Sequence, residues 1–281
     1  MIELLQFEFM QRALVIATVT GALCAVIGVY VVLRGMSFIG AGIAHASFGG
    51  VALGFFLGWN PLVTAILFCT AVAWGIGFVS ETNRMREDTA VGIFFASTMA
   101  LGVLIIGFLK GYTIDLFGYM FGNILAVTAV DMWAAIILSI VVIGAVIFLF
   151  KEFLFLTFDA EAAAVAGLPV RFLNYLMLTL IAATIVMSIK AVGIVLVSAL
   201  IVAPAAAAHQ LTNHFKSMMV LAVILGVAST WIGLFLSSLL DIASGATIVM
   251  TATVIFFLCS AFSPHRRRMR QRTAELREEM H

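Results

Sequence analysis

The stretch Met36-Ser-Phe-Ile-Gly-Ala-Gly-Ile-Ala-His45-Ala-Ser-Phe-Gly-Gly-Val-Ala-Leu-Gly54 places one histidine inside an otherwise apolar run. Because a polar side chain is costly in hydrocarbon, a membrane helix usually turns it toward protein or a pathway. Small residues that let another helix approach closely recur here at every fourth position: Gly42, Ala46, Gly50 and Gly54. At ~100° per residue, His45 lies roughly 60° around the helix from this ladder. We therefore expect His45 to face packed protein or a translocation path.

Composition sets the class of protein. Of the 281 residues, 64% are hydrophobic and 10% charged, and the mean hydropathy is +1.20. Since soluble domains carry about 25% charged residues, we predict an all-α polytopic membrane protein. Three isolated cysteines, Cys24, Cys69 and Cys259, lie within apolar runs and are interpreted as small buried hydrophobes.

Apolar runs of at least ~18 residues predict about nine spanning helices, with eight as the alternative count. The predicted spans are 11–33, 38–58, 61–80, 89–109, 131–150, 172–189, 192–210, 217–238 and 245–262. The stretch Leu116 to Thr128 is apolar but short and is interrupted by glycines, so we expect a re-entrant or interfacial piece covered by protein. Residues 1–264 then form the membrane domain, and residues 265–281 form a basic tail.

The distribution of Lys and Arg predicts the orientation in the membrane. Three positive clusters fall on one side, which we assign to the cytoplasm with the C-terminus: Arg84 with Arg86, Lys151 with Arg171, and the Arg266–Arg272 tail. The N-terminus is then outside, and Lys110 and Lys190 fall on the opposite side from the rule. The tail is interpreted as an anchor to anionic headgroups rather than a nucleic-acid site.

Absent motifs narrow the function. In the predicted topology, Asp, Glu, Lys and Arg occur only at or beyond the span ends, whereas ion-coupled carriers commonly bury such groups. The sequence also lacks the phosphate-binding pattern G-x-x-x-x-G-K-[ST] and the common hydrolase patterns. The chain is therefore not predicted to be an enzyme, and uphill transport would take its energy from another chain.

A short helix is predicted between the fifth and sixth spans, within residues 157–169. Asp159 is a good N-cap and Glu161 places negative charge at the helix N-terminus. Gly167 is placed to end the helix, and the proline that follows two residues later prevents its continuation. A helix of about seven residues, roughly 10 Å long, is too short to span. It is either a docking knob for a soluble partner or a plain connector.

Several motifs together resemble one transporter family. The run Glu161-Ala-Ala-x-x-x-Gly167 resembles the loop of ATP-binding-cassette importer permeases that seats in the ATPase. Arg34-Gly-Met-Ser-Phe-Ile-Gly40 followed by Ala44-His45-Ala46 resembles a signature of the zinc/manganese/iron importer family, as does Gly193 to Ala208. Asp115-Leu-Phe-Gly-Tyr-Met-Phe-Gly122 is similar to a further family segment. The matches occur in the family's order from about residue 10 to 262.

The resemblance implies a permease subunit in a prokaryotic plasma (inner) membrane. It implies a homodimeric pore, two cytoplasmic ATPase subunits that bind the ATP, and an extracellular or periplasmic protein that delivers the metal. The residues implied to couple the permease to its ATPase are Phe158, Asp159, Glu161, Ala162, Gly167 and Leu168. No cofactor is implied to be held permanently, because the metal is cargo.

One position departs from the family signature. Many relatives carry an aspartate four residues before the histidine, where this chain has Ala41, so only His45 of that pair is present. Imidazole suits Zn²⁺ and other transition metals, whereas loss of a hard oxygen ligand disfavours Mn²⁺. The sequence thus places zinc slightly ahead of manganese and iron.

Other candidates admit two interpretations each. His209 is either a second metal station or a partly solvated histidine near a span end. Pro204 is either a static kink or a broken, moving helix. Asp241 either lines the outer mouth or belongs to a plain polar turn. For the whole chain, the alternatives to a metal-ion permease are a permease for a chelated metal, of siderophore or cobalamin type, and a non-transporting membrane scaffold.

Overall fold

The computed structural model describes residues 7–83, 85–108, 120, 122, 124 and 127–263, and every regular element within them is helical. In chain order the helices are α1 Glu8–Leu33, α2 Ile39–Leu57, α3 Pro61–Asn83, α4 Glu87–Phe108, α5 Ala129–Phe148, α6 Phe150–Phe158, α7 Ala160–Val165, α8 Val170–Val192, α9 Val197–Leu211, α10 Phe215–Leu240 and α11 Ser244–Ala261. Eight of these, all but α6, α7 and α9, are long and apolar enough to cross a membrane. The all-α polytopic fold predicted from composition is confirmed.

The seventh predicted span, 192–210, differs from the observed helix. The helix observed in this region is α9, which has 15 residues and begins at Val197. The preceding helix ends at Val192 because Gly193 has φ 94°, a conformation that an L side chain rarely adopts. The chain therefore turns between α8 and α9. Most of the predicted re-entrant stretch Leu116–Thr128, the Asp115 segment and the whole tail from His265 lie outside the described residues.

The interior of the bundle is formed chiefly by α1, α2 and α8, which are the most buried of the spanning helices. Small residues bring α1 against α10: a Cβ added to Gly21 would lie 2.9 Å from the carbonyl oxygen of Gly226. The Thr230 hydroxyl donates a hydrogen bond of 2.8 Å to the carbonyl oxygen of Ala17 across the same seam. Such close backbone approach is how membrane helices associate when lipid removes the hydrophobic driving force.

Polar contacts distinguish two ends of the bundle. At one end, Arg34 follows α1, and its side chain contacts Asn174 near the start of α8. Because the short helix α7 directly precedes α8, we term this the α7 end. At the other end, Lys190 in the last turn of α8 forms an ion pair with Asp131 in the first turn of α5. We term this the Asp131 end. Lys190 is one of the two lysines that the distribution of Lys and Arg places on the non-cytoplasmic side, and the carboxylate of Asp131 neutralises its charge.

Candidate functional site

The small-residue ladder of α2 packs within the same chain. A Cβ at Gly42 would lie 2.5 Å from Val91 Cγ1 of α4, and one at Gly50 would lie 2.8 Å from Ala65 Cα of α3. Gly54 approaches Pro61 at the start of α3 in the same way, and Ala46 is fully buried. The ladder therefore serves close packing of α2 on α3 and α4, so it is not in itself an argument for a second copy of the chain.

His45 lies near the middle of α2 and is half-buried. Its ring packs against Phe95 of α4, with 4.5 Å between the ring centroids and 53° between the planes. Its Nδ1 lies 3.0 Å from the carbonyl oxygen of Ala41, one turn earlier. The histidine thus faces a neighbouring helix, and its ring is held by a backbone group.

The contact with Ala41 decides which nitrogen of neutral His45 could bind a metal. A carbonyl oxygen can only accept a hydrogen bond, so Nδ1 must carry the hydrogen. The lone pair of neutral imidazole is then on Nε2, the atom that a metal would take. Metal-ligating histidines commonly donate their other N–H to such a partner, which fixes the ring and its tautomer. Position 41 therefore holds the His45 ring through its backbone carbonyl oxygen, and its alanine side chain offers no metal ligand.

Within the described part of the chain, no group of three or more His, Cys, Asp or Glu residues is arranged to hold a metal ion. His209 lies in the last turn of α9 and is exposed, and His214, at the start of α10, is exposed as well. A metal ion bound at His45 would therefore need further ligands from beyond these residues or from water.

The predicted gating and mouth residues have ordinary local structures. Pro204 is buried inside α9, which continues through it from Val197 to Leu211. Asp241 is exposed and ends α10 in a left-handed conformation, φ 53° and ψ 47°. The turn is closed by Ser237, whose hydroxyl donates a hydrogen bond of 2.6 Å to the carbonyl oxygen of Ile242. The geometry at Asp241 is that of a polar turn at the Asp131 end.

The predicted short helix is present as α7, and its ends are capped as expected. The Asp159 carboxylate accepts a hydrogen bond of 2.8 Å from the backbone N–H of Ala162. At the other end, Gly167 takes φ 84°, and its N–H and that of Leu168 donate to the carbonyls of Ala164 and Ala163. This is a Schellman motif, which satisfies carbonyls that the helix end leaves unpaired.

One face of α7 is anchored and the other is exposed. Ala163 is fully buried and Leu168 packs against the core. In contrast, Glu161 is exposed, Val165 is 91% exposed, and Phe158, just before the helix, is 67% exposed. Val165 and Phe158 are therefore apolar side chains that the described residues leave largely exposed.

At the α7 end of the bundle, a chain of polar contacts joins three helices. These contacts were not predicted from the sequence. Arg34 Nη2 donates a hydrogen bond of 2.6 Å to Asn174 Oδ1, and Asn174 Nδ2 donates one of 3.1 Å to Glu81 Oε1. Arg171 Nε lies 3.8 Å from Glu81 Oε2. Burial lowers the pKa of the Arg34 guanidinium, and the negative charge of Glu87 opposes that shift. These contacts tie α1, α3 and α8 together directly beside α7.

The ion pair between Asp131 and Lys190 was also not predicted from the sequence. A sequence pattern did, however, indicate a capping role for Asp131. Thr128-Ala-Val-Asp131 precedes an apolar run, which is the pattern of a capping box. In the structure, Thr128 Oγ1 accepts from the Asp131 N–H, and the Asp131 carboxylate accepts from the Thr128 N–H, each at 3.2 Å. The partner Lys190 lies 59 positions away, so only the fold reveals it.

The sequence model of the ABC 3 transport family matches residues 6–263. The chain belongs to this family. It is 44% identical over 261 residues, 93% of each chain, to the manganese transport system membrane protein MntC of Listeria monocytogenes. It is also 36% identical over 264 residues, 94% of this chain and 97% of the other, to a probable iron transport system membrane protein of Haemophilus influenzae.

A solved structure supports the same assignment. A chain of PsaBC from Streptococcus pneumoniae, in complex with Fab, superposes with a TM-score of 0.87 at 36% identity, covering 96% of this chain and 98% of that one. This ABC 3 transport protein is therefore a permease subunit of the metal-importing ABC transporters. The resemblance read from the Arg34–Ala46, Gly193–Ala208 and Glu161–Gly167 segments is confirmed at the level of the family.

Proposed function

We propose that this chain forms the membrane pathway of an ATP-driven importer of divalent transition-metal ions, with His45 as the first metal ligand inside it. The observation that carries this proposal is the held ring of His45, whose Nδ1 is engaged by the Ala41 carbonyl while Nε2 keeps its lone pair. An imidazole oriented in this way, half-buried on a membrane helix, is prepared to bind a cation for a short time and release it.

A second copy of the chain would complete the station. One imidazole does not hold a metal by itself, and the described residues offer no cluster that would add to it. Two chains related by a two-fold axis would bring two His45 side chains to the same pathway, since an isologous interface presents the same surface twice. A two-histidine station binds weakly enough to permit release, which conduction requires.

Manganese is the first candidate for the cargo. Of the two relatives described above, the one named for manganese transport is 44% identical and the one named for iron transport is 36% identical. Zinc is the second candidate, because the station presents imidazole without a carboxylate at position 41, and imidazole suits zinc better than manganese. Both ions are delivered, in this proposal, by an extracellular metal-binding protein at the Asp131 end.

Energy enters at the α7 end, which we place in the cytoplasm together with the C-terminus. The sequence has no phosphate-binding loop of its own, so ATP is bound by two partner subunits. The exposed Val165 and Phe158 would dock in those ATPases. The buried Ala163 and the partly buried Leu168 would pass their motion to the bundle as rigid-body movement.

The test is uptake of radioactive manganese and zinc into proteoliposomes that hold the chain with its cognate ATPase and binding protein. We expect ATP-dependent uptake, and we expect His45→Ala to reduce it at least tenfold while ATP hydrolysis persists. His214→Gln changes an exposed histidine and serves as the matched control with unchanged uptake.

Three other outcomes would redirect the proposal. Full uptake by His45→Ala would remove His45 as the ligand and leave the importer. Uptake of a chelated metal without free-ion uptake would favour the chelate permease. ATP hydrolysis without flux of any metal would favour the non-transporting scaffold.

A further inference from the structure

A groove runs along the outer surface of the bundle between α3 and α8, near the α7 end. Its volume is about 530 Å³. Its lining is almost wholly apolar and aromatic apart from one charged residue, and consists of Trp74, Arg171, Phe172, Tyr175, Leu176 and Thr179. Both helices that form the groove are long and apolar enough to cross a membrane.

Specific contacts between α3 and α8 fix the side chains that line the groove. Trp74 Nε1 donates a hydrogen bond of 2.9 Å to Thr179 Oγ1, which fixes the indole and satisfies its only polar group. The Tyr175 ring stands nearly perpendicular to it, at 86° and 6.1 Å between centroids. Trp74 remains 48% exposed and Phe172 63% exposed. The aromatic faces therefore present a preformed apolar channel that the described residues leave uncovered.

One end of the groove carries a positive charge. The Arg171 side chain is 75% exposed, and its Nε lies 3.8 Å from Glu81 Oε2. No other hydrogen bond or ion pair engages its guanidinium among the described residues, so its two terminal nitrogens are available to an anion. From Arg171 to Thr179 the helix rises roughly 12 Å. The Arg171 guanidinium thus lies at one end of an apolar groove about 12 Å long.

We propose that this groove binds a phospholipid with an anionic headgroup. The phosphate would pair with the Arg171 guanidinium, whose planar donors match a phosphate, and one acyl chain would lie along the exposed faces of Trp74 and Phe172. The observation that selects this occupant is charge complementarity, since a lipid has one anionic end and a long apolar chain. A second copy docked symmetrically on this groove would instead bring two Arg171 side chains together. Only the choice of leaflet, the cytoplasmic one, rests on the proposed function.

The first experiment is native mass spectrometry of the full chain released from micelles that contain equal amounts of phosphatidylglycerol and phosphatidylcholine. We expect phosphatidylglycerol to be retained preferentially. Arg171→Gln should lower that preference about fivefold, the factor of one basic residue at an anionic surface. Lys151→Gln removes another exposed cation of the α7 end, outside the groove, and should leave the preference unchanged. Leu176→Trp should fill the groove and displace the lipid.

A second measurement uses the groove without changing Arg171. Brominated phosphatidylglycerol, added at low mole fraction, should quench tryptophan fluorescence more than brominated phosphatidylcholine, and Trp74→Phe should abolish the difference. An unchanged preference in Arg171→Gln would overturn the proposal, as would equal quenching by the two lipids. A fall in dimer mass in Leu176→Trp with unchanged lipid retention would assign the groove to a second copy instead.

Discussion

Arg34 and Asn174, 140 positions apart in the chain, are joined by a hydrogen bond of 2.6 Å from Nη2 to Oδ1. The other terminal nitrogen of Arg34, Nη1, is buried and has no hydrogen-bond partner among the described residues. Asn174 in turn donates to Glu81. One amide therefore holds the end of α1 and the end of α3 to the start of α8, the helix that follows α7.

Replacing Asn174 with leucine should destabilise the protein. The change leaves Arg34 Nη2 and Glu81 Oε1 without this partner, and a lost partner at a partly buried polar group costs about 1–3 kcal/mol. Denaturant unfolding of the purified chain in micelles measures the loss. Asn213→Leu makes the same replacement at an exposed position and should stay within about 0.5 kcal/mol of the parent. Equal stability of the two variants would show that the Asn174 contacts contribute nothing.

Asp131 and Lys190 should show energetic coupling in a double-mutant cycle. Lys190→Met leaves the Asp131 carboxylate with only Thr128, and Asp131→Asn leaves a partly buried lysine charge. The double variant should therefore be less destabilised than the sum of the single variants, by about 1–3 kcal/mol.

The exposed pair of Arg12 and Glu8, at 2.7 Å, is the comparison for this cycle, and its coupling should stay below about 1 kcal/mol. Both cycles use thermal unfolding in micelles. Additive effects at Asp131 and Lys190 would contradict the prediction.

Gly54→Ala should destabilise the packing of α2 on α3. The added Cβ would lie 2.8 Å from Pro61 Cα, and backbone cannot move aside as a flexible side chain can. Overpacking of this kind costs about 1–3 kcal/mol. Gly144→Ala is the matched control, because nothing lies within 4 Å of its Cβ position on α5. It should be neutral or stabilising by up to about 1 kcal/mol, since alanine favours helix over glycine. A neutral Gly54→Ala in the same unfolding assay would refute tight packing there.

Val165→Asp should weaken assembly with the ATPase subunits if α7 docks into them. A charge would replace an apolar side chain that the proposed interface buries, at a cost of about 2 kcal/mol or more, or at least thirtyfold in affinity. Titration of the ATPase against the permease in micelles measures it. Ile242→Asp introduces the same charge at an exposed apolar residue of the Asp131 end and should leave the affinity unchanged. Loss in both variants would indicate a general defect rather than docking by α7.

Much of the fold was predictable from the sequence because hydrocarbon imposes long apolar runs on spanning helices. Eight spans and the capped helix α7 followed from such local patterns. The start of α9 did not, because the residues before Val197 are as apolar as those after it and only the backbone turn at Gly193 separates them.

The candidate site could be predicted only where a single residue stands out in the sequence. His45 stands out in its run, but its support by the Ala41 carbonyl and Phe95 depends on helix geometry and packing. Lys190 looked misplaced until the fold brought it to Asp131. Likewise, Gly50 predicted a close contact with another helix but did not identify α3 as that helix. Long-range partners of this kind leave no local pattern.

The two closed ends of α7 have a mechanical consequence. A helix of six residues has almost no stability of its own and would ordinarily fray under load. Here Asp159 closes one end and Gly167 the other, while Ala163 and Leu168 fasten the element to the bundle. A push applied at Val165 is therefore not absorbed by unwinding. In the proposed mechanism, α7 would therefore move as a rigid unit and pass its displacement to α8, the helix that follows it.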